Sequence, residues 1–192
     1  EHFLREVKPL LVPVALDPAH PFPLVANKSL NFIVQLKGRD AFGRSNEIAI
    51  VKVPRVLPRV LRLPARVSGG ETLFVMLSSV IRGHLPDLFR GREVGDFRVT
   101  RDSDLWVDEE EVKNLRTALH QELHQRHYGD AVRVEVSSAC SEQLAEFLLR
   151  QFKLPPEALF RVQGPVNLVR LQQLIALGDR PALLFPPYHA SY

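Results

Sequence analysis

Val132, Val134 and Val136 alternate with Arg133 and Glu135, a period of two that predicts a strand with one buried face. Residues 30–37 and 47–54 carry two further apolar strand patterns. The stretch between them is rich in glycine and polar residues, so the pair predicts a hairpin. A short apolar strand over 72–77 leads into a helix over 78–89, with Pro86 limiting or bending it. A strand over 97–100 follows. Val112, Leu115, Leu119 and Leu123 line one face of a helix over 109–128, with Asp108 and Glu111 spaced as a capping box and Gly129 as its stop. Leu144, Phe147 and Leu148 mark another amphipathic helix, closed by Pro155 and Pro156. Phe160 and Val162 predict a last short strand, and Leu168, Leu171, Gln172 and Ile175 a final helix after the turn at Gly164-Pro165. Residues 2–7 predict the end of a helix, Pro9 and Pro13 an extended path, and the prolines between Asp17 and Pro23 a rigid loop. Strands first, then strands mixed with helices, predict an α+β domain: a mixed sheet with flanking helices.

Composition sharpens this little. The 192 residues are 45% hydrophobic and 24% charged, a globular balance with enough chain for a real core. No apolar run reaches the roughly 18 residues of a membrane helix, and the first residues hold no apolar export signal. The chain does not begin with Met, so a piece of a longer protein is expected. The single Cys140 has no internal disulfide partner, which suits a reducing compartment. Charge is more informative, because the net +3 hides an asymmetry. Eleven basic residues face five acidic ones up to Gly70, and fourteen face seventeen after it. A basic first third suits a polyanion or an acidic partner surface.

The residues raise four candidate chemistries. There is no glycine-rich phosphate loop; Gly69-Gly70 is an isolated pair read as a flexible joint. His120, His124 and His127 fall at helical spacing, but Glu122 is out of place for a zinc-protease pattern. They are read as surface histidines, against a metal site as the sharper alternative. Arg98, Arg101, Asp102, Asp104 and Asp108 form a charged patch, read as an internal ion-pair network rather than a magnesium site. Between residues 52 and 66, Pro54, Pro58 and Pro64 interleave with Arg55, Arg59, Arg62 and Arg66, with no acidic residue. Guanidinium groups on a stiff extended backbone suit a phosphate chain. The competing reading is a connector whose arginines keep an edge strand soluble. Cys140 is read as a small packing residue. No catalytic, cofactor-binding or metal-ligating residue emerges from the pattern.

Several strings, in order, resemble the polyphosphate kinase family. They are Val12-Pro13-Val14-Ala15-Leu16-Asp17-Pro18-Ala19-His20-Pro21-Phe22-Pro23 with Asn27-Lys28-Ser29-Leu30-Asn31, then Val51-Lys52-Val53-Pro54 with Leu57-Pro58-Arg59 and Arg62-Leu63-Pro64. Val80-Ile81-Arg82-Gly83-His84-Leu85 and Leu88-Phe89-Arg90-Gly91 come next, followed by Phe97-Arg98-Val99-Thr100-Arg101-Asp102-Ser103-Asp104-Leu105. Val132-Arg133-Val134-Glu135-Val136 and Gly164-Pro165-Val166-Asn167-Leu168 complete the set. Ser78 and Ser79 stand where the family often has acidic residues, and residues 91–97 look shortened.

The resemblance implies the middle, or head, domain of an enzyme that moves the terminal phosphate of ATP onto polyphosphate, with ATP and magnesium as cofactors of the full-length protein. Residues 1–10 would be the tail of a preceding helical domain, and 178–192 the link to catalytic domains that carry the phosphorylated histidine. None of the seven histidines here falls on those catalytic motifs, so the fragment is expected to be inactive alone. The implied partners are the rest of the kinase chain, a second subunit and polyphosphate, with no nucleic acid. The implied location is cytoplasmic, with membrane association open for the full enzyme. An independent polyanion-binding module is the alternative.

Overall fold

The computed structural model describes residues 1–16, 21–36, 48–89, 91–102, 129–178, 180–186 and 188. Its frame is a six-stranded sheet. β1 is Val12–Ala15, β2 Asn31–Leu36, β3 Ile48–Lys52, β6 Gly91–Arg101, β7 Ala131–Ser137 and β8 Leu159–Val162, in the spatial order β1-β3-β2-β6-β7-β8. Every neighbouring pair is antiparallel except β7 and β8, which are parallel. A parallel pair needs a crossover, and helix α3, Glu142–Phe152, supplies it. A second, two-stranded sheet pairs β4, Val60–Arg62, with β5, Phe74–Met76, around the one-turn helix α1, Ala65–Ser68. Helix α2, Leu77–Phe89, follows β5 directly, and α4 is Gln173–Gly178.

The strand period of two divides the core between the faces of the large sheet. Phe32, Val34 and Val51 point to one face, where Leu77, Ile81 and Leu85 of α2 and Phe3 and Val7 of the amino-terminal helical turn cover them. Ile33, Ile50, Phe97, Val99, Val134 and Val136 point to the other, where Leu144, Ala145 and Leu148 of α3 close over them. The α+β reading, a mixed sheet with flanking helices, is what the coordinates show. The Ser141 hydroxyl caps α3 by accepting from the Leu144 backbone N–H.

The turn that leads from β7 into α3 lies so close to β6 that no side chain fits at Gly95. A Cβ there would lie 2.7 Å from both Cβ and Sγ of Cys140. Gly95→Ala is expected to destabilise the chain by about 1–3 kcal/mol through overpacking, read as a lower urea midpoint with an unchanged slope. An unchanged midpoint would mean that the Cys140 turn does not pack against Gly95.

The chain departs from expectation in four places. β1 is a strand although Pro13 lies in it, because it pairs only with β3 at the sheet edge. β6 runs 11 residues rather than four, since Asp96 and Arg98 interrupt the apolar pattern without ending the strand. Residues 52–66 are not one extended ribbon but a turn, a strand and a helical turn. Gly69 and Gly70, read as a joint, have φ of 65° and 91°, a left-handed stop in which both backbone N–H groups reach the Ala65 carbonyl. The helix expected over 109–128 lies outside the described residues, as does the connector of the first hairpin.

Candidate anion site

Arg59 sits where three elements meet, and its backbone is held on both sides. Its carbonyl accepts from the Leu77 N–H at the start of α2. Its N–H, and that of Val60, donate to the Gln173 side-chain oxygen of α4 at 2.8 and 3.2 Å. This clasp joins residues 114 positions apart. It forms because Pro54 and Pro58 bracket a turn whose Leu57 is buried in the core, turning the next residues inward.

The side chain is therefore carried inside. Arg59 is only 4% exposed. Nη2 donates to the Val53 carbonyl at 3.3 Å, while Nε and Nη1 have no hydrogen-bond partner. A guanidinium has five N–H donors, and a buried one normally faces a carboxylate. Instead, burial first, and then the positive charges of Arg170 and Arg55, lower its pKa to about 10. Arg59 thus remains a cation at neutral pH, with cations for company. It lines a cavity of about 10 Å³ with Leu30, Met76, Ser78, Pro165, Val166 and Asn167, room for about one water. The Asn167 side-chain oxygen is also buried without a partner.

The four arginines singled out from the sequence are not equivalent. Arg55, Arg62 and Arg66 are exposed, on the turn, on β4 and on α1 respectively. Arg55 donates to the Asn27 carbonyl at 2.7 Å. Only Arg59 is enclosed, and the residue that joins it and Arg55 electrostatically is Arg170, which the sequence reading passed over. Nothing in the pattern around Arg170 marks it; its relevance arises from the Gln173 clasp.

The charged patch resolves in part into ion pairs and backbone contacts. Arg98 lies 3.1 Å from Glu135, which also pairs with Arg133 at 2.5 Å. The Arg133 guanidinium stacks 4.1 Å above the Phe160 ring. Arg101 donates to the carbonyls of Val25 and Gly129. Asp104, Asp108 and the histidines at 120, 124 and 127 lie outside the described residues. Among the described residues no group of three or more His, Cys, Asp or Glu is placed to hold a metal ion, and no helix is long and apolar enough to cross a membrane. Cys140 is 2% exposed, and burial pushes its thiol up to about 11, as suits a packing residue.

A family profile described as polyphosphate kinase middle domain matches residues 1–174. A polyphosphate kinase of Neisseria meningitidis serogroup C is 54% identical over 191 residues, covering 98% of this chain and 28% of its own length. One from Pseudomonas aeruginosa is 50% identical over 189 residues, covering 97% of this chain and 27% of its own. The chain therefore spans little more than a quarter of the curated relatives it matches. The crystal structure of polyphosphate kinase from Porphyromonas gingivalis superposes with a TM-score of 0.69 at 22% identity, over 99% of this chain and 27% of that one, a likeness of fold.

Proposed function

The chain belongs to the polyphosphate kinase family, as its middle domain, and on that premise we propose that it is a non-catalytic assembly module of a longer kinase. In this reading the whole protein transfers the terminal phosphate of ATP to polyphosphate, using ATP and magnesium held by other domains. The observation that carries it is coverage: relatives named polyphosphate kinase contain nearly all of this chain, as 28% of their length or less. Phosphoryl transfer depends on positioned charges around the moving group, and a domain that fixes other domains and subunits contributes by placing them.

Residues 1–10 would continue a preceding helical domain, and 178–192 would lead to the catalytic ones. Apolar side chains along this last part suit contact with further polypeptide: Phe185 is 98% and Tyr188 90% exposed. Self-association is the proposed role of the domain, and polyphosphate guidance by Arg55, Arg59, Arg62 and Arg66 a second one. The location proposed is cytoplasmic.

Sedimentation equilibrium over a wide concentration range tests assembly. Reversible dimerisation of the 192-residue chain is expected, whereas a monomer at all concentrations would remove the assembly role. A monomer that binds long-chain polyphosphate tightly, with affinity falling steeply as salt rises, would favour the independent polyanion-binding module instead.

A further inference from the structure

Two features of the Arg59 corner are not accounted for by packing. Its guanidinium is enclosed with Nε and Nη1 unpartnered, and the charges that act on it are those of Arg170 and Arg55. Arg170 and Arg55 lie near enough for their charges to act on Arg59, though neither lines the cavity, and no ion pair joins Arg59 to a described carboxylate. A bridging water would satisfy donors but leave the charge uncompensated.

We infer that this corner binds a multiply charged oxyanion of the phosphate class, which places one oxygen in the cavity against Arg59 and keeps its remaining charge toward Arg55 and Arg170. Size argues for this division. The cavity admits one oxygen-sized group, not a whole phosphate, so the rest of the anion lies outside it. Charge argues for the class, since a single carboxylate would answer only one of three guanidinium groups, and guanidinium matches phosphate oxygens well. Arg55 spends one N–H on the Asn27 carbonyl and keeps the others. Ser78 lines the same cavity, and the Asn167 amide, turned by half a rotation, presents donors instead of its oxygen. The choice of phosphate rests on the kinase reading, but the site itself rests on the geometry. It narrows the basic path to one corner and brings Arg170 into it in place of Arg62 and Arg66.

Pyrophosphate is the probe, titrated into the 192-residue chain at an ionic strength held constant with potassium chloride. Calorimetry gives the affinity, and the Arg59 Nε–H signal in ¹⁵N-resolved NMR reports the contact. One-to-one saturable binding is expected, with a shift of that signal. Arg55→Ala and Arg170→Ala lie outside the core and are expected to fold. Each should weaken binding about tenfold, the worth of a charge-assisted hydrogen bond. Arg62→Ala and Arg66→Ala should leave it unchanged.

Absence of saturable binding overturns the site. Equal weakening by all four variants also overturns it, while preserving a diffuse polyphosphate path. Succinate binding as tightly as pyrophosphate overturns the phosphate assignment and gives the corner to a carboxylate-bearing partner. If pyrophosphate behaves as expected but long-chain polyphosphate does not bind, the path fails and the site stands.

Discussion

Phe97→Ala is expected to cost about 3–5 kcal/mol and to remove much of the stability of a domain whose total is about 5–15 kcal/mol. Phe97 lies near the middle of β6, paired with Asn31 of β2 on one side and Val136 of β7 on the other. It has no exposed surface. Its ring sits 6.3 Å from that of Phe152 at the end of α3, and Phe22 packs edge-on to Phe152 at 5.2 Å. Truncation therefore leaves a void bounded by strands on two sides and by a helix, elements that cannot collapse into it without breaking their own hydrogen bonds. Phe97→Leu, which keeps much of the volume, should cost less than half as much. Urea unfolding of the three proteins checks this. A loss below about 1 kcal/mol for the alanine variant would mean that β6 does not hold the centre of this core.

Arg82→Ala is the second large effect, at about 3 kcal/mol, because of what it strands rather than what it removes. Asp96 is fully buried on the face of β6 opposite Phe97, and Arg82 of α2 reaches down to its Oδ1. The other oxygen, Oδ2, has no partner. Arg82 is 36% exposed, so water screens its own end, and the cost falls on the carboxylate that would be left without a counter-charge. Asp96→Asn in the Arg82→Ala background should recover most of the loss, since an amide needs no counter-ion. A double-mutant cycle by urea unfolding measures it. Strictly additive effects would mean that the two groups do not interact.

The same residues mark what was legible in the sequence. β2 and β3 are readable as short apolar runs, buried on both faces, and α3 as an amphipathic helix whose Leu144 and Leu148 are buried as their spacing predicts. β7 follows its period only in part: Val134 and Val136 are buried, but Val132 is exposed and Glu135, expected on the open face, is buried with Arg98 and Arg133 beside it. β6 is not fully readable because Asp96 looks like a loop residue until Arg82, on a different element, neutralises it. The spatial order of strands, with β3 between β1 and β2, is set by long-range pairing that no local pattern records.

The candidate site was legible only as a composition. An arginine-proline stretch is visible, but Arg55, Arg59, Arg62 and Arg66 look alike in it. What separates Arg59 is the Gln173 clasp, and Arg170 comes with that clasp. The prolines read as one stiff extended backbone; in the fold Pro64 instead stands just before α1 as its N-cap, with φ −61° and an extended ψ of 146°.

Binding without catalysis is the central claim, and phosphate transfer to the chain itself tests it most directly. The purified 192-residue chain is incubated with γ-labelled ATP and magnesium, with and without polyphosphate, beside a longer kinase of the family. Acid-labile, base-stable label on histidine and newly made polyphosphate are then measured. The account predicts both from the longer enzyme and neither from the 192-residue chain; label on any of its seven histidines, or polyphosphate made by it alone, would contradict the account.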